Sequence, residues 1–161
     1  NAALAGHPDY AAIYDGYRSA VDWPTAAFWQ DVAEAYPDAK IILSSRSAES
    51  WYARISENIL ATVWAPDTWP PQAVEWFTMV TRVLERSFGD AREKDDLIAT
   101  FHAHEANVKA TLPPERLLVH SAKDGWGPLC TFLDVPVPLT PYPRTNSKEE
   151  FFQHMKDADE L

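Results

Sequence analysis

Apolar residues in this chain follow two alternating rhythms, a three- and four-residue step and short unbroken runs. Phe28, Trp29, Val32 and Tyr36 recur at helical spacing, which predicts a helix over 24–36 with one apolar face. Pro24 suits its start, because the N–H that proline lacks has no intrahelical partner there. Pro37-Asp38 ends it. Ile41, Ile42 and Leu43 then form a continuous run, the pattern of a strand at 40–45 covered on both faces. A helix over about 48–63 follows, with Ser45 or Ser47 as its cap.

The same steps return further on. Val74, Phe77, Val80, Val83 and Leu84 predict a helix over 71–88, and Leu97, Ile98, Phe101 and Val108 another over 91–111. With the proline-rich loop at 64–71 these make a helical cap of about 64–111. Pro113-Pro114 breaks the pattern, RLLVH at 116–120 reads as a second strand, and 126–133 as a further helix. A short helix at 8–14, a short strand at 17–22, an extended segment at 135–143 and a polar helix at 148–161 complete the expectation. Strands alternating with helices predict an α/β fold, and 161 residues without a linker or repeat predict a single domain, 1–161.

Composition narrows the function. The net charge of -10 opposes nonspecific nucleic-acid binding, because phosphates need a basic footprint. No apolar run approaches the roughly 20 residues of a membrane span. Cys130 is the single cysteine, has no intrachain partner, and lies in the apolar stretch GWGPLCTFLD, where a thiol packs as a small hydrophobe. The opening NAALAGHPDY has no charged flank or long apolar segment, so no secretory signal is read and a cytoplasmic protein is expected. The absence of an initiator methionine marks the chain as a fragment in this reading.

Candidate chemistry centres on DAKIILSSRSAESWY, residues 38–52. A strand, a turn and a helix N-terminus form the arrangement that holds anions in open α/β sheets, and Arg46 stands in the turn. It is either a phosphate ligand or a surface ion-pair partner. Asp22, before Trp23-Pro24, either caps the next helix or takes a proton from a substrate hydroxyl. His120 and Lys123 put a titratable group and a cation at the end of the second strand, or in a solvated loop. His102 and His104 lie two apart and face different ways on a helix, a poor metal pair, so no metal is expected. Of the seven tryptophans, Trp64 and Trp69 in the proline-rich loop are the candidates for lining a ligand cleft.

Three segments in order, GYRSAVDWPTAAFWQDVAEAYPDAKIILSSR, SWY and PPERLLVHSAKDGWGPLCTFLDVPVPLTPYPRTN, resemble the P-loop sulfotransferase-like family of bacteria and fungi over nearly the whole chain. The resemblance implies a three-layer, P-loop NTPase-like parallel sheet flanked by helices. It also implies transfer of a sulfuryl group from 3′-phosphoadenosine 5′-phosphosulfate (PAPS) to the hydroxyl or amine of a small-molecule acceptor. In such proteins the segment matching 40–55 holds the donor's 3′-phosphate through an arginine and a serine eight residues later. Arg46 matches the arginine; Arg54 stands where the serine is expected, with Ser47, Ser50 or Arg54 itself as substitutes. Asp22 occupies the place of a catalytic histidine before a leucine-proline step.

One family feature is missing from the sequence. The five glycines, at 6, 16, 89, 125 and 127, form no phosphate loop after an apolar strand. The first strand of the family sheet is therefore expected to be absent and the chain N-terminally incomplete. An exposed sheet edge then favours a homodimer. The expected activity is sulfuryl transfer by the complete protein. The alternatives are a non-catalytic binding or scaffold domain of the same fold and, with less support, a P-loop nucleotide kinase relative.

Overall fold

The structure, a computed structural model, describes residues 3–6 and 8–143; the helix expected at 148–161 lies outside them. The chain divides into two compact units, Asn1–Val119 and His120–Leu161.

After a 3-10 turn at Ala3–Ala5 the first unit continues with α1 (Tyr10–Ile13), one turn started by Asp9, whose carboxylate accepts the Ala12 amide at 3.0 Å. The strand expected at 17–22 does not form. Tyr17 and Val21 are 74% and 88% exposed, and Asp22 turns the chain at φ 63°, so these residues have no layer to join. The helix expected over 24–36 is split into a 3-10 turn, Thr25–Phe28, and α2 (Trp29–Ala35). The break at Phe28 (φ -117°, ψ 22°) lets its ring be buried, and burial of this size is worth about 1.5–3 kcal/mol.

Strand β1 (Ile41–Ser44) pairs with β2 (Leu117–His120) in a two-stranded parallel sheet, entered by the Ile41 amide donating to the Arg116 carbonyl at 2.7 Å. Ile41, Leu43 and Leu117, with Trp29 of α2, pack against a cluster of Ala33 of α2 and Val108 and Leu112 at the end of α6 (Lys94–Thr111). Ile42 and Val119 remain 38% and 40% exposed. The expectation of burial on both faces is thus corrected: β1 alternates half-buried and exposed residues, as a strand covered on one side does.

After β1, α3 (Ala48–Ile55) runs into a π-helical turn, Ser56–Leu60, and then α4 (Ala61–Val63). Helix α5 (Val74–Phe88) begins as a 3-10 turn at Pro71–Ala73 and stops at Gly89, whose φ of 55° is disfavoured for residues bearing a Cβ. Leu60, Val63, Leu84 and Leu97 make the second core, joining α4, α5 and α6. Trp51 of α3 sits between Phe88 and Phe101, with ring centroids 5.9 and 4.9 Å away.

The second unit contains the last residue of β2, a 3-10 turn Ala122–Asp124 and α7 (Trp126–Leu133), and α7 ends at Asp134 in the left-handed region. Cys130 is a buried free thiol of α7, as its apolar surroundings predict. The proline-rich stretch after α7 folds back so that the Thr140 carbonyl accepts the Trp126 indole N–H at 2.9 Å and Tyr142 meets the Trp126 ring at 4.7 Å.

Candidate functional site

Ser47 caps α3: its hydroxyl accepts the Ser50 amide at 3.3 Å, with extended backbone at φ -64°, ψ 142°. The turn between β1 and α3 therefore consists of Ser45, Arg46 and Ser47. Arg46 is exposed and makes no hydrogen bond, ion pair or ring contact with the described residues. A guanidinium in that state, beside the free amides of a helix N-terminus, suits a doubly charged oxyanion such as phosphate.

The other residues expected around it divide. Ser50 is exposed in the first turn of α3, on the same turn as the cap. Arg54 lies in the last turn of α3, about 9 Å along the axis from Ala48 at 1.5 Å per residue, and its carbonyl accepts the Asn58 side-chain amide at 2.9 Å. The structure thus gathers Arg46, Ser47 and Ser50 at one helix end and leaves Arg54 at the other.

Asp22 does not cap the element that follows, whose first turn at Thr25–Phe28 starts from Pro24 without a side-chain cap. Its carboxylate accepts the Trp23 amide at 2.7 Å, and its carbonyl accepts the Ala26 amide at 3.0 Å. Trp64 lines a cleft of about 220 Å³ with Tyr52, Ser56, Leu60, Arg92 and Leu97. The Arg92 guanidinium lies 4.8 Å over the Trp64 ring, while its Nη1 donates to the carbonyls of Gly89 and Ala91. Trp69 stacks on Phe77 at 5.0 Å and donates its indole N–H to the Thr62 carbonyl at 2.9 Å; it is not among the residues lining that cleft.

His120 is buried at 6% exposure rather than solvated. Its Nε2 lies 3.3 Å from the Tyr142 hydroxyl, and its Nδ1 has no hydrogen-bond partner among the described residues, with Asp124 Oδ2 at 3.9 Å. Lys123 beside it is exposed. His104 packs edge-on against Trp29, and loss of water holds its pKa below the ordinary imidazole value despite the opposing charge of Glu105. Among the described residues no group of three or more His, Cys, Asp or Glu is arranged to hold a metal, and no helix is long and apolar enough to cross a membrane.

Sequence reasoning missed the partner of the turn. Ser45, weighed only as a cap, donates its hydroxyl to Glu105 Oε1 of α6 at 2.6 Å, and Lys109 holds Oε2 at 3.2 Å. Burial alone would raise the Glu105 pKa; the hydrogen bonds from Ser45 and Lys109 and the charges of Lys109 and His102 outweigh it and hold the carboxyl below its ordinary value. No local pattern announces a contact between residues sixty positions apart.

Two comparisons with known proteins bear on this geometry. The family model described as a sulfotransferase domain matches residues 3–151. The chain is also similar to Ava biosynthesis cluster protein M of Aspergillus versicolor, 31% identical over 147 residues, which is 84% of this chain and 56% of that protein. The chain therefore spans little more than half the length of this curated relative. The family match covers β1, the turn with Arg46, α3, the Trp64 cleft and β2 alike, and the chain belongs to the sulfotransferase domain family.

Proposed function

We propose that this chain is the larger part of a sulfotransferase that uses PAPS as donor, and that the β1–α3 turn receives the donor's 3′-phosphate. The observation that carries the reading is the exposed Arg46, without a partner among the described residues, beside the capped N-terminus of α3. In this reading Arg46 supplies the charge-assisted hydrogen bonds, the first α3 amides and Ser50 add neutral ones, and Ser47 holds the helix end in place. Arg54 contributes long-range charge rather than a direct contact, being two turns away.

The donor, when bound, supplies an activated sulfate whose S–O bond to phosphate breaks as a new S–O bond to a hydroxyl acceptor, or S–N bond to an amine, forms. The chain's own part is to hold the nucleotide end, to seat the acceptor and to accept its proton. The Trp64 cleft, with an aromatic wall and the hydroxyls of Tyr52 and Ser56, is the acceptor site in this reading. Asp22, which is not among the residues lining that cleft, is the proton acceptor of this reading once its carboxylate leaves the Trp23 amide. The three-layer P-loop arrangement belongs to the same proposal, with a homodimer through the sheet edge as its assembly.

Titration of adenosine 3′,5′-bisphosphate into the chain tests the reading. Binding that weakens at least tenfold in Arg46→Ala, with the melting temperature unchanged, is the expected result. A second reading, a domain that binds but does not transfer, is favoured by the Asp22 carboxylate being engaged by its neighbour's amide. It predicts the same Arg46-dependent binding but no sulfated product from PAPS with phenol or amine acceptors. A folded chain that binds no nucleotide at millimolar concentration would overturn both.

A further inference from the structure

The turn that carries Arg46 is short, exposed and built from two serines and an arginine, so by composition it should be loose. Its first residue is nevertheless tied across sixty positions of sequence to α6 by the 2.6 Å bond from the Ser45 hydroxyl to Glu105 Oε1. The Glu105 side chain is only 14% exposed, and Lys109, one helical turn on, holds its second oxygen at 3.2 Å. Helix α6 is itself anchored on both sides of this contact by Leu97 and Val108, 1% and 3% exposed. A rigid helix thus grips the turn just before Arg46.

A carboxylate so close to a phosphate site would ordinarily repel the ligand. Lys109 answers that charge at Oε2, and the Ser45 hydroxyl donates to the other oxygen, Oε1, so the useful property of Glu105 is its position as an acceptor rather than its charge. We propose that Glu105 is a positioning residue for nucleotide binding: by accepting the Ser45 hydroxyl it fixes the 45–47 turn, and so the direction from which Arg46 meets the phosphate. The inference rests on the reading of Arg46 given above.

Charge and geometry separate cleanly in variants. Glu105→Gln retains an acceptor for Ser45 and removes the charge; Glu105→Ala removes both; Ser45→Ala removes the donor and leaves α6 intact. Calorimetric titration with adenosine 3′,5′-bisphosphate should give binding weakened about tenfold in Glu105→Ala and in Ser45→Ala, as when only about a tenth of the chains keep the binding-competent turn. Glu105→Gln should bind within about threefold of the parent, and the double variant Ser45→Ala/Glu105→Ala no more weakly than either single one, as for two residues acting through one bond. Hydrogen exchange of the amides at 45–48 should accelerate in both alanine variants and not in Glu105→Gln.

Glu105→Ala that melts lower but binds with parental affinity would reduce the residue to a structural role and overturn the proposal. Glu105→Gln as weak as Glu105→Ala would overturn it in favour of charge. Should the parent bind no nucleotide, the reading of Arg46 fails, and the exchange measurement still decides this one: unchanged protection at 45–48 in folded Glu105→Ala or Ser45→Ala shows that Glu105 does not hold the turn.

Discussion

Each end of β1 has an arginine, and the two are used in opposite ways. At the entry end Arg116 spends its guanidinium on three carbonyls: Nε donates to Ala39 at 3.1 Å, and Nη2 to Ala33 at 3.1 Å and Tyr36 at 3.0 Å. Those carbonyls include the C-terminal end of α2, where unsatisfied acceptors and the helix dipole both favour a cation. At the exit end Arg46 meets no partner among the described residues. The Ser45 hydroxyl and Ser47 fix the backbone on either side of it. One end closes its polar groups upon themselves; the other keeps a rigid frame around an unused charge. The contrast separates a cation that stabilises the fold from one that is available to a ligand.

The largest test of this contrast is Arg116→Ala, expected to destabilise the chain by about 3 kcal/mol, since carbonyls at the α2 end lose a charged donor. Urea denaturation measures it, and a loss below about 0.5 kcal/mol would erase the distinction between the two ends. Arg46→Ala should leave stability within about 0.5 kcal/mol of the parent in the same experiment, as for an exposed residue without partners among the described residues. Between these, Ser47→Ala removes the α3 cap and should cost about 1 kcal/mol, while Ser47→Asp should keep most of it.

The smallest effect is in pH. His104 and Glu105 both titrate below their ordinary values, 6.5 and 4.5, so the unfolded chain binds protons before the folded one does. Their contributions are fully present above the ordinary values and are lost as pH falls, first through the imidazole and then through the carboxyl range. A stability profile from pH 7 to 3 should therefore decline, and Glu105→Gln should flatten its lower part only. At the alkaline end Tyr10 behaves inversely. Burial and the bond to Asp31 push its phenol up to about 12, so its contribution is complete below 10 and fades as pH rises through 12.

The sequence was legible where one local signal decided the outcome. Ile41 to Leu43, the Ser47 cap, α7 and the apolar faces of α5 and α6 follow from periodicity and capping. It misled where a missing neighbour decided. Tyr17 to Asp22 has strand-like composition but no layer to join, and the Ile42 face is uncovered although the run of three aliphatics implies two covered faces. Arg46 was visible because a turn between a strand and a capped helix is a local motif. Glu105 was not, because its contact depends on how α6 lies across the end of β1. Trp69 was expected from its loop to line a ligand cleft, whereas its ring stacks on Phe77 and does not line the Trp64 cleft.

The π-helical turn at Ser56–Leu60 gives the chain a place to change length. The amide of Ala61 reaches back five residues to the Ser56 carbonyl instead of four, so the turn carries one residue more than a regular helix requires. Deleting a single residue between Ser56 and Ile59 would let the ladder close as ordinary α-helix. The Trp51 and Tyr52 side before it, and the Val63 side after it, would keep their facing directions. A chain one residue shorter at this point would thus keep both helical segments in register with the single core they share.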